Sequence, residues 1–408
     1  MQTNDGTTQT GMTQIGTDGD VQIGRRLTAL TTGMDRLERQ LSRGHGVLDS
    51  EGLVPIYLGE ALVPPLQLRD WDVVHRELDN LEQQAALYPE GHRRTFLHDM
   101  LRSLRTATRL FEGEVLSFRE KLEGLVGVPA EPVSDADLHL MHAELAGLLD
   151  RAGVRSGTLA ERTLRWEQER ALDAGQLGPV FLELMVEAQR RTDAMIYPTG
   201  DYTMKLNALR GVPFTARCNF SSGQMDLNVD LSFTRAAIKH LVCHEVFPGH
   251  STQLLYTLDK AGTGECTADV LLCTANAVTG CVQEGIGDQG VHLLDWVETH
   301  DDAIHVQLRR IRSASATSAA WYQMGEGWSE ERVTRFLENF SFGQRPWIEG
   351  RIRFASYSFR GPFIASYWFG NEAVRELRER VSAEQRPEFI KFLYGQMHSP
   401  RSLAQFGA

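Results

Sequence analysis

The stretch Lys239-His-Leu-Val-Cys-His-Glu-Val-Phe-Pro-Gly-His-Ser-Thr-Gln253 sets His244 beside Glu245 and places His250 six positions after the first of them. On a regular helix six residues turn through about 240°, so the two imidazoles would point in different directions. Pro248 and Gly249 remove that conflict. Pro248 has no N–H, and its ring clashes with the carbonyl four residues back, that of His244. Gly249 tolerates almost any backbone angle. The helix must therefore break or bulge between the histidines, and the excursion can bring His250 to where a residue at i+4 would stand. Breaking a helix costs roughly 3 kcal/mol, and such distortions often mark functional sites.

The residue types point to a metal. Imidazole nitrogens suit zinc, and an adjacent Glu can act as general base on a metal-bound water. His240 and His244 also form an i,i+4 pair, so a metal could use that face instead. A third ligand is expected downstream, and Glu284 in Cys281-Val-Gln-Glu-Gly-Ile-Gly287 is the best candidate. The residues before it, 270–282, are apolar or small and read as a buried helix, where an unpaired carboxylate would be costly. The other reading of Glu284 is an exposed residue at a helix end, near Gly285, Gly287 and Gly290. Asp288, four residues on, can accept a hydrogen bond from a ligand histidine. The group His300-Asp301-Asp302 with His305 reads instead as a charged, solvated helix face, and Cys243 as a small buried residue.

Outward from this stretch the periodicity is mostly helical. Leu27, Leu30, Met34, Leu37 and Leu41 recur at steps of three and four over 25–43. Helical spacing returns over 70–124 with a break near Pro89-Glu90-Gly91. There Leu97, Met100, Leu101, Leu104, Thr108, Phe111, Val115 and Phe118 form a long stripe. Further helices are expected over 136–152, 159–174 and 177–195, the last with Pro179 in its first turn, and again from 233 to the end. Between them, 197–231 is punctuated by Pro198, Gly200, Gly211, Pro213 and Gly223, and FTARCNF and QMDLNVD alternate like strands. The pattern predicts a mainly α fold with a short β segment near 197–231. It divides into a disordered tail over 1–24, an N-terminal helical region over 25–196 and a metal-site helical region over 197–408, the last two forming one compact unit.

Composition bounds the rest. The chain has 408 residues, a formal net charge of -12, 42% hydrophobic and 24% charged residues, which is ordinary for a globular protein. Its acidic balance argues against a nucleic-acid binder. No run of about 18 apolar residues suggests a membrane span. The polar, Gly/Thr-rich start lacks the charged and apolar regions of a secretory signal. Five cysteines with no CxxC spacing fit a reducing cytoplasm, the expected location.

The string HEVFPGHSTQ closely resembles the His-Glu-x-x-Pro-Gly-His-x-x-Gln signature of the bacterial family called domain of unknown function 885. That family looks like zinc metallopeptidases with a helical, zincin-like cleft. The resemblance implies His244 and His250 as ligands and Glu245 as general base. It matches Glu284-Gly285-Ile286 to the family's Glu-Gly-Trp, whose Glu is the third ligand. It matches Gly327-Trp328-Ser329-Glu330-Glu331 and the segment 361–370 to later motifs, and retains Tyr367 as a group able to polarise a substrate carbonyl. Four positions depart from the family: Ala320 and Met324 replace an Asp and a His, and Phe363 and Trp368 replace a Gln and a Lys. A metal core is thus retained while the pocket is rebuilt. The expected function is a zinc-dependent hydrolase cutting an amide or peptide bond of a small-molecule or short-peptide substrate. The alternative is a lyase or a non-haem iron redox enzyme on the same His/His/Glu core, since two histidines and one carboxylate also suit iron.

Overall fold

A computed structural model of the chain describes residues 17–53, 57–212, 216–272 and 277–407. The fold is mainly α with one small sheet. The helices of ten or more residues are α1 (Thr17–Ser42), α2 (Trp71–Ala85), α3 (His92–Phe111), α4 (Asp135–Arg151), α5 (Leu159–Glu169), α6 (Ala174–Met195), α7 (Arg235–Glu245), α8 (His250–Gly262), α9 (Thr279–Asp288), α10 (His300–Ala320), α11 (Glu330–Ser341), α12 (Arg345–Ala355), α13 (Ser366–Arg380) and α14 (Arg386–Gly395). Among the described residues no helix is long and apolar enough to cross a membrane.

Many helix starts carry their own caps. Ser134 accepts from the Asp137 amide, and Thr158 and Glu161 form a reciprocal capping box, which satisfies amides that have no partner inside the helix. α6 begins at Ala174, three residues before the expected start, so Pro179 lies inside the helix rather than in its first turn. α1 begins at Thr17, within the stretch read as tail. Ile23 is buried there beside Leu27, Leu30, Met34 and Leu37, whereas Leu41 is half-exposed one residue before the helix ends. Residues 1–16 lie outside the described part. The long stripe of α3 also stops early: the helix ends at Phe111, the chain turns through Gly113 at φ 89°, and Val115 is exposed.

The sheet comprises β1 (Lys205–Leu209), β2 (Ala216–Asn219) and β3 (Gln224–Asn228), in the order β1-β3-β2. β2 and β3 form the hairpin expected from their alternation. β1 runs parallel to β3, with Leu206 opposite Met225. Met225 and Leu227 point into an apolar cluster with Val242, Val246 and Phe247, so the sheet underpins the end of α7.

The two halves of the sequence interleave. α1, α2 and α3 bury their stripes against Val270, Leu272 and Val278. α4 and α5 pack on α10 and α11 through Leu145, Trp166, Ile304, Leu308 and Leu337. α10 is consequently buried nearly all round, with small residues from Ser313 to Ala320 at the helix crossings. α9 and α13 approach closest. A Cβ at Gly370 would stand 1.8 Å from the Cys281 carbonyl oxygen, and one at Gly285 would stand 2.1 Å from the Gly370 carbonyl oxygen.

This packing sets up two stability tests. Gly370→Ala should destabilise the protein by about 3 kcal/mol or more, since backbone atoms would have to separate. Gly350→Ala on α12, where a Cβ meets nothing within 4 Å, should add about 0.5–1 kcal/mol. Urea titration reads both, and equal effects would contradict the packing. A third test is acid titration. His92 Nε2 donates to His398 Nδ1 at 2.9 Å, and His398 Nε2 donates to the Phe392 carbonyl at 3.0 Å. Burial first, and then the charge of Arg93, pushes His92 down to about 4. Burial and His92 push His398 down to about 3. The unfolded chain takes up these protons below about pH 6.5 and the folded chain does not, so stability should fall as pH drops from about 6.5 towards 4. His92→Gln should flatten that fall in a plot of Tm against pH.

Candidate metal centre

The break between the histidines is built as the sequence requires. α7 ends at Glu245, Phe247-Pro248 is a cis peptide, and α8 starts at His250. A Cβ at Gly249 would lie 1.7 Å from the His244 carbonyl oxygen, so only glycine fits there. The break frees backbone carbonyls, and hydroxyl groups satisfy them. Ser251 donates to the Glu245 carbonyl at 2.9 Å and Thr252 to that of Val246 at 3.2 Å. Tyr394 donates to that of Pro248 at 2.8 Å. A buried carbonyl without a donor would carry a desolvation penalty, and that of Val246 also accepts from the Thr252 amide at 3.2 Å.

His244 and His250 now face one another, with ring centroids 4.8 Å apart and planes at 89°. Glu284 stands against both. His244 Nε2 lies 3.2 Å from Glu284 Oε2, and His250 Nε2 lies 3.8 Å from Glu284 Oε1. Three donor atoms of these residues lie within 4.8 Å of one another. Ligand atoms at tetrahedral positions about 2.1 Å from zinc are separated by about 3.4 Å, so the set is of the right size. Glu284 Oε2 is buried without a hydrogen-bond partner, which a metal ion would supply. The side chains of His250 and Glu284 remain 28% and 27% exposed, so solvent reaches one side of the set.

The far nitrogen of each imidazole is held. Asp288 Oδ1 accepts from His244 Nδ1 at 3.1 Å, and Gln253 Oε1 accepts from His250 Nδ1 at 3.2 Å. Each Nδ1 therefore carries a hydrogen, and each Nε2 is turned towards Glu284, where it can ligate a metal once it is deprotonated. Gln253 Nε2 in turn donates to the Gln283 carbonyl at 3.2 Å. Glycines make room for this: a Cβ at Gly287 would stand 2.9 Å from His244 Nδ1, and one at Gly290 would stand 2.5 Å from the Cys243 carbonyl oxygen. The glycines around Glu284 thus mark close packing within α9 rather than an exposed helix end.

His240, His244 and Asp288 form a second possible donor set. There Asp288 Oδ1 also accepts from His240 Nε2 at 3.1 Å and from Arg309 Nη2 at 2.9 Å. A cation on that face would meet a guanidinium bonded to its own carboxylate ligand, so the His244–His250–Glu284 face fits a metal better. The electrostatics agree. Burial opposes a charge on His244, but its contacts with the Asp288 and Glu284 carboxylates, which accept from it, outweigh that and push its pKa up to about 10. Burial raises Glu284, yet its closeness to His244 and His250 brings it down to about 2. The donor set is a place that seeks positive charge. His240, by contrast, is pushed down to about 4, chiefly by burial.

Glu245 closes α7 at the edge of this set, and its charge acts on His250 and on the Tyr367 phenol. Tyr367 is raised above its usual pKa, first by the charge of Glu284 and then by burial, so at neutral pH it is a proton donor. The Cys218 thiol on β2 donates to Met204 Sδ at 3.9 Å, and burial and then the Glu245 charge push its pKa up. Sequence reasoning missed Cys218, Arg309 and the role of Gln253. Only Gln253 carried a signal, its i+3 spacing from His250.

The other residues singled out from the sequence lie elsewhere. Asp302 pairs with Lys239 at 2.8 Å, Asp301 accepts from Trp166 and Arg170, and His305 is buried against the His240 ring. Asp302 and His305 are therefore part of the packing of α10, whereas His300 is exposed and Asp301 half-exposed, as a solvated face requires. Ala320 and Phe363 sit in an apolar cluster with Phe359 and Ile364, Met324 is exposed, and Trp368 is half-buried beneath Arg310. Gly327-Trp328-Ser329 forms the turn into α11, where Ser329 caps the helix and Trp328 stacks on Tyr322.

No family model matches the chain, and no curated protein matches it in sequence. Several solved structures share its fold, among them the following two. A candidate lipoprotein from Colwellia psychrerythraea has 15% identity and a TM-score of 0.54, over 74% of this chain and 54% of its own. A candidate lipoprotein of unknown function from Shewanella oneidensis has 15% identity and a TM-score of 0.52, over 88% of this chain and 71% of its own. The chain spans about half the length of the Colwellia structure. At this identity the likeness is one of fold alone.

Variants separate the two donor sets. His250→Ala should abolish stoichiometric zinc binding, whereas His240→Leu should leave one zinc per chain, both read by elemental analysis. Asp288→Asn keeps the shape but loses the charge behind His244, and should weaken zinc about 10- to 100-fold in a chelator competition.

Proposed function

We propose that the protein is a zinc-dependent hydrolase acting on an amide or peptide bond of a small substrate. The observation that carries this reading is the convergence of His244 Nε2, His250 Nε2 and Glu284 on one solvent-reaching point, with both imidazoles held from behind. Zinc bound there would supply Lewis acidity for a carbonyl oxygen and lower the pKa of a water molecule. The chain's own groups would do the rest. Glu245 would accept a proton from the attacking water and pass it to the leaving amine. Tyr367 would donate a hydrogen bond to the oxygen on which negative charge develops. Asp288 and Gln253 would keep the ligand rings in position.

The decisive comparison is between ligand and base variants, assayed with short peptides and acyl-amino acids. His244→Ala and Glu284→Ala should lose metal and activity together. Glu245→Gln should keep full metal content and lose about 10²- to 10⁴-fold in kcat. Full metal content in His244→Ala would overturn the ligand assignment, and an active Glu245→Gln the role of the base. Iron in the purified protein with oxygen-dependent turnover would favour the redox alternative on the same donors.

A further inference from the structure

Asp288 offers a single oxygen to three donors. Its Oδ1 accepts from His244 Nδ1 at 3.1 Å, from His240 Nε2 at 3.1 Å and from Arg309 Nη2 at 2.9 Å, while its Oδ2 is buried without a partner. Arg309 reaches this carboxylate from α10, and its own Nε is buried and unpartnered. An arginine that clasps a carboxylate for stability commonly sets its fork against both oxygens. Arg93 does so with Asp269, Arg310 with Glu372 and Arg401 with Asp99. Arg309 instead makes one contact, on the very oxygen that His244 uses.

The placement has an electrical consequence. A carboxylate behind a ligand imidazole strengthens that imidazole as a ligand. Here the carboxylate carries a guanidinium, so Asp288 and Arg309 together bear no net charge. The group behind the other imidazole, His250, is the neutral amide of Gln253. Both rings are therefore backed by groups without net charge, reached by two different routes. Glu284 is left as the one carboxylate facing the two Nε2 atoms. With a single negative charge in the donor set, a divalent ion keeps part of its positive charge, which is what polarises a carbonyl oxygen. A full negative charge behind His244 would hold the ion more tightly and leave it a poorer Lewis acid.

We propose that Arg309 is a positioning residue of the metal centre that acts through Asp288: it cancels the charge behind His244, which lowers affinity for the metal and raises its power to polarise the substrate. The proposal deepens the zinc hydrolase reading and rests on it for the gain in catalysis. Its metal-binding half needs no turnover.

Chelator competition with zinc tests it. Arg309→Gln keeps an N–H able to donate to Asp288 and loses the charge. It should bind zinc about 10-fold more tightly than wild type. With cobalt(II) in place of zinc, its visible absorption should match that of wild type, because the ligands are the same. Arg309→Lys restores the charge and should return to within about threefold of wild-type affinity. Zinc-loaded Arg309→Gln should lose about 10-fold in kcat on the short-peptide substrates. Equal or weaker zinc binding in Arg309→Gln overturns the proposal, since loss of a mere brace would loosen the site. A changed cobalt spectrum overturns it too, as does a gain in affinity that persists in Arg309→Lys, or tighter zinc with undiminished kcat. If Arg309→Gln does not fold, Arg309→Met takes its place with the same expectations. Failure of both to fold makes Arg309 a structural residue and overturns the proposal. Tighter zinc in the variant with no hydrolysis by wild type would sink the hydrolase reading and keep the charge effect on the metal. Hydrolysis by wild type with no gain in affinity in the variant would sink the role of Arg309 and keep the hydrolase.

Discussion

The approach of Gly249 to the carbonyl of His244 is the contact on which the rest of the site depends. It ends α7 one residue after His244 and starts α8 at His250, which turns a six-residue spacing into two facing imidazoles. A side chain at 249 would have no place, and a continuous helix would aim the rings apart by about 240°. The cost of ending a helix in the core is offset locally. Ser251, Thr252 and Tyr394 each satisfy a carbonyl that the break exposes. Two of these donors belong to the next turn of chain, and the third comes from α14, so the break also ties the last helices to the centre.

Close approach is the second constraint. Glu284 reaches the histidines because α9 lies against α13 at Gly285 and Gly370 and against the His244 ring at Gly287. Each glycine removes a side chain where another element needs the space. The carboxylates divide the labour. Glu284 faces the Nε2 atoms of both imidazoles, while Asp288, one turn later on the same helix, holds the hydrogen on His244 Nδ1 and is itself bonded to Arg309. The arginine on the outer carboxylate leaves the inner one as the place where added positive charge is stabilised.

Much of this was legible in the sequence, and the reason is locality. The break is announced by Pro248-Gly249, the caps by Ser134 and Thr158, and the hairpin by the alternation around Gly223. What escaped depends on distant pairing. β1 lies beside β3 through a parallel register that no turn signals. The group Asp301, Asp302 and His305 looks solvated by composition, yet Lys239, Trp166 and Arg170 arrive from far along the chain to satisfy it. Leu41 and Val115 keep helical spacing, but the helices beneath them stop too soon to bury them. Periodicity reports which face is apolar, not whether anything will cover it.

The chain's net charge of -12 says little about the potential inside the site. Surface charges are screened by salt over about 8–10 Å, whereas groups in the low-dielectric interior act on one another strongly. Around Tyr367 the charges of Glu284 and Glu245 raise the phenol and those of Arg351 and Arg309 lower it. In the donor set the two imidazoles stand against the Glu284 carboxylate, and Asp288 behind them accepts from Arg309. The charges that matter at the site are thus these few buried groups and not the total.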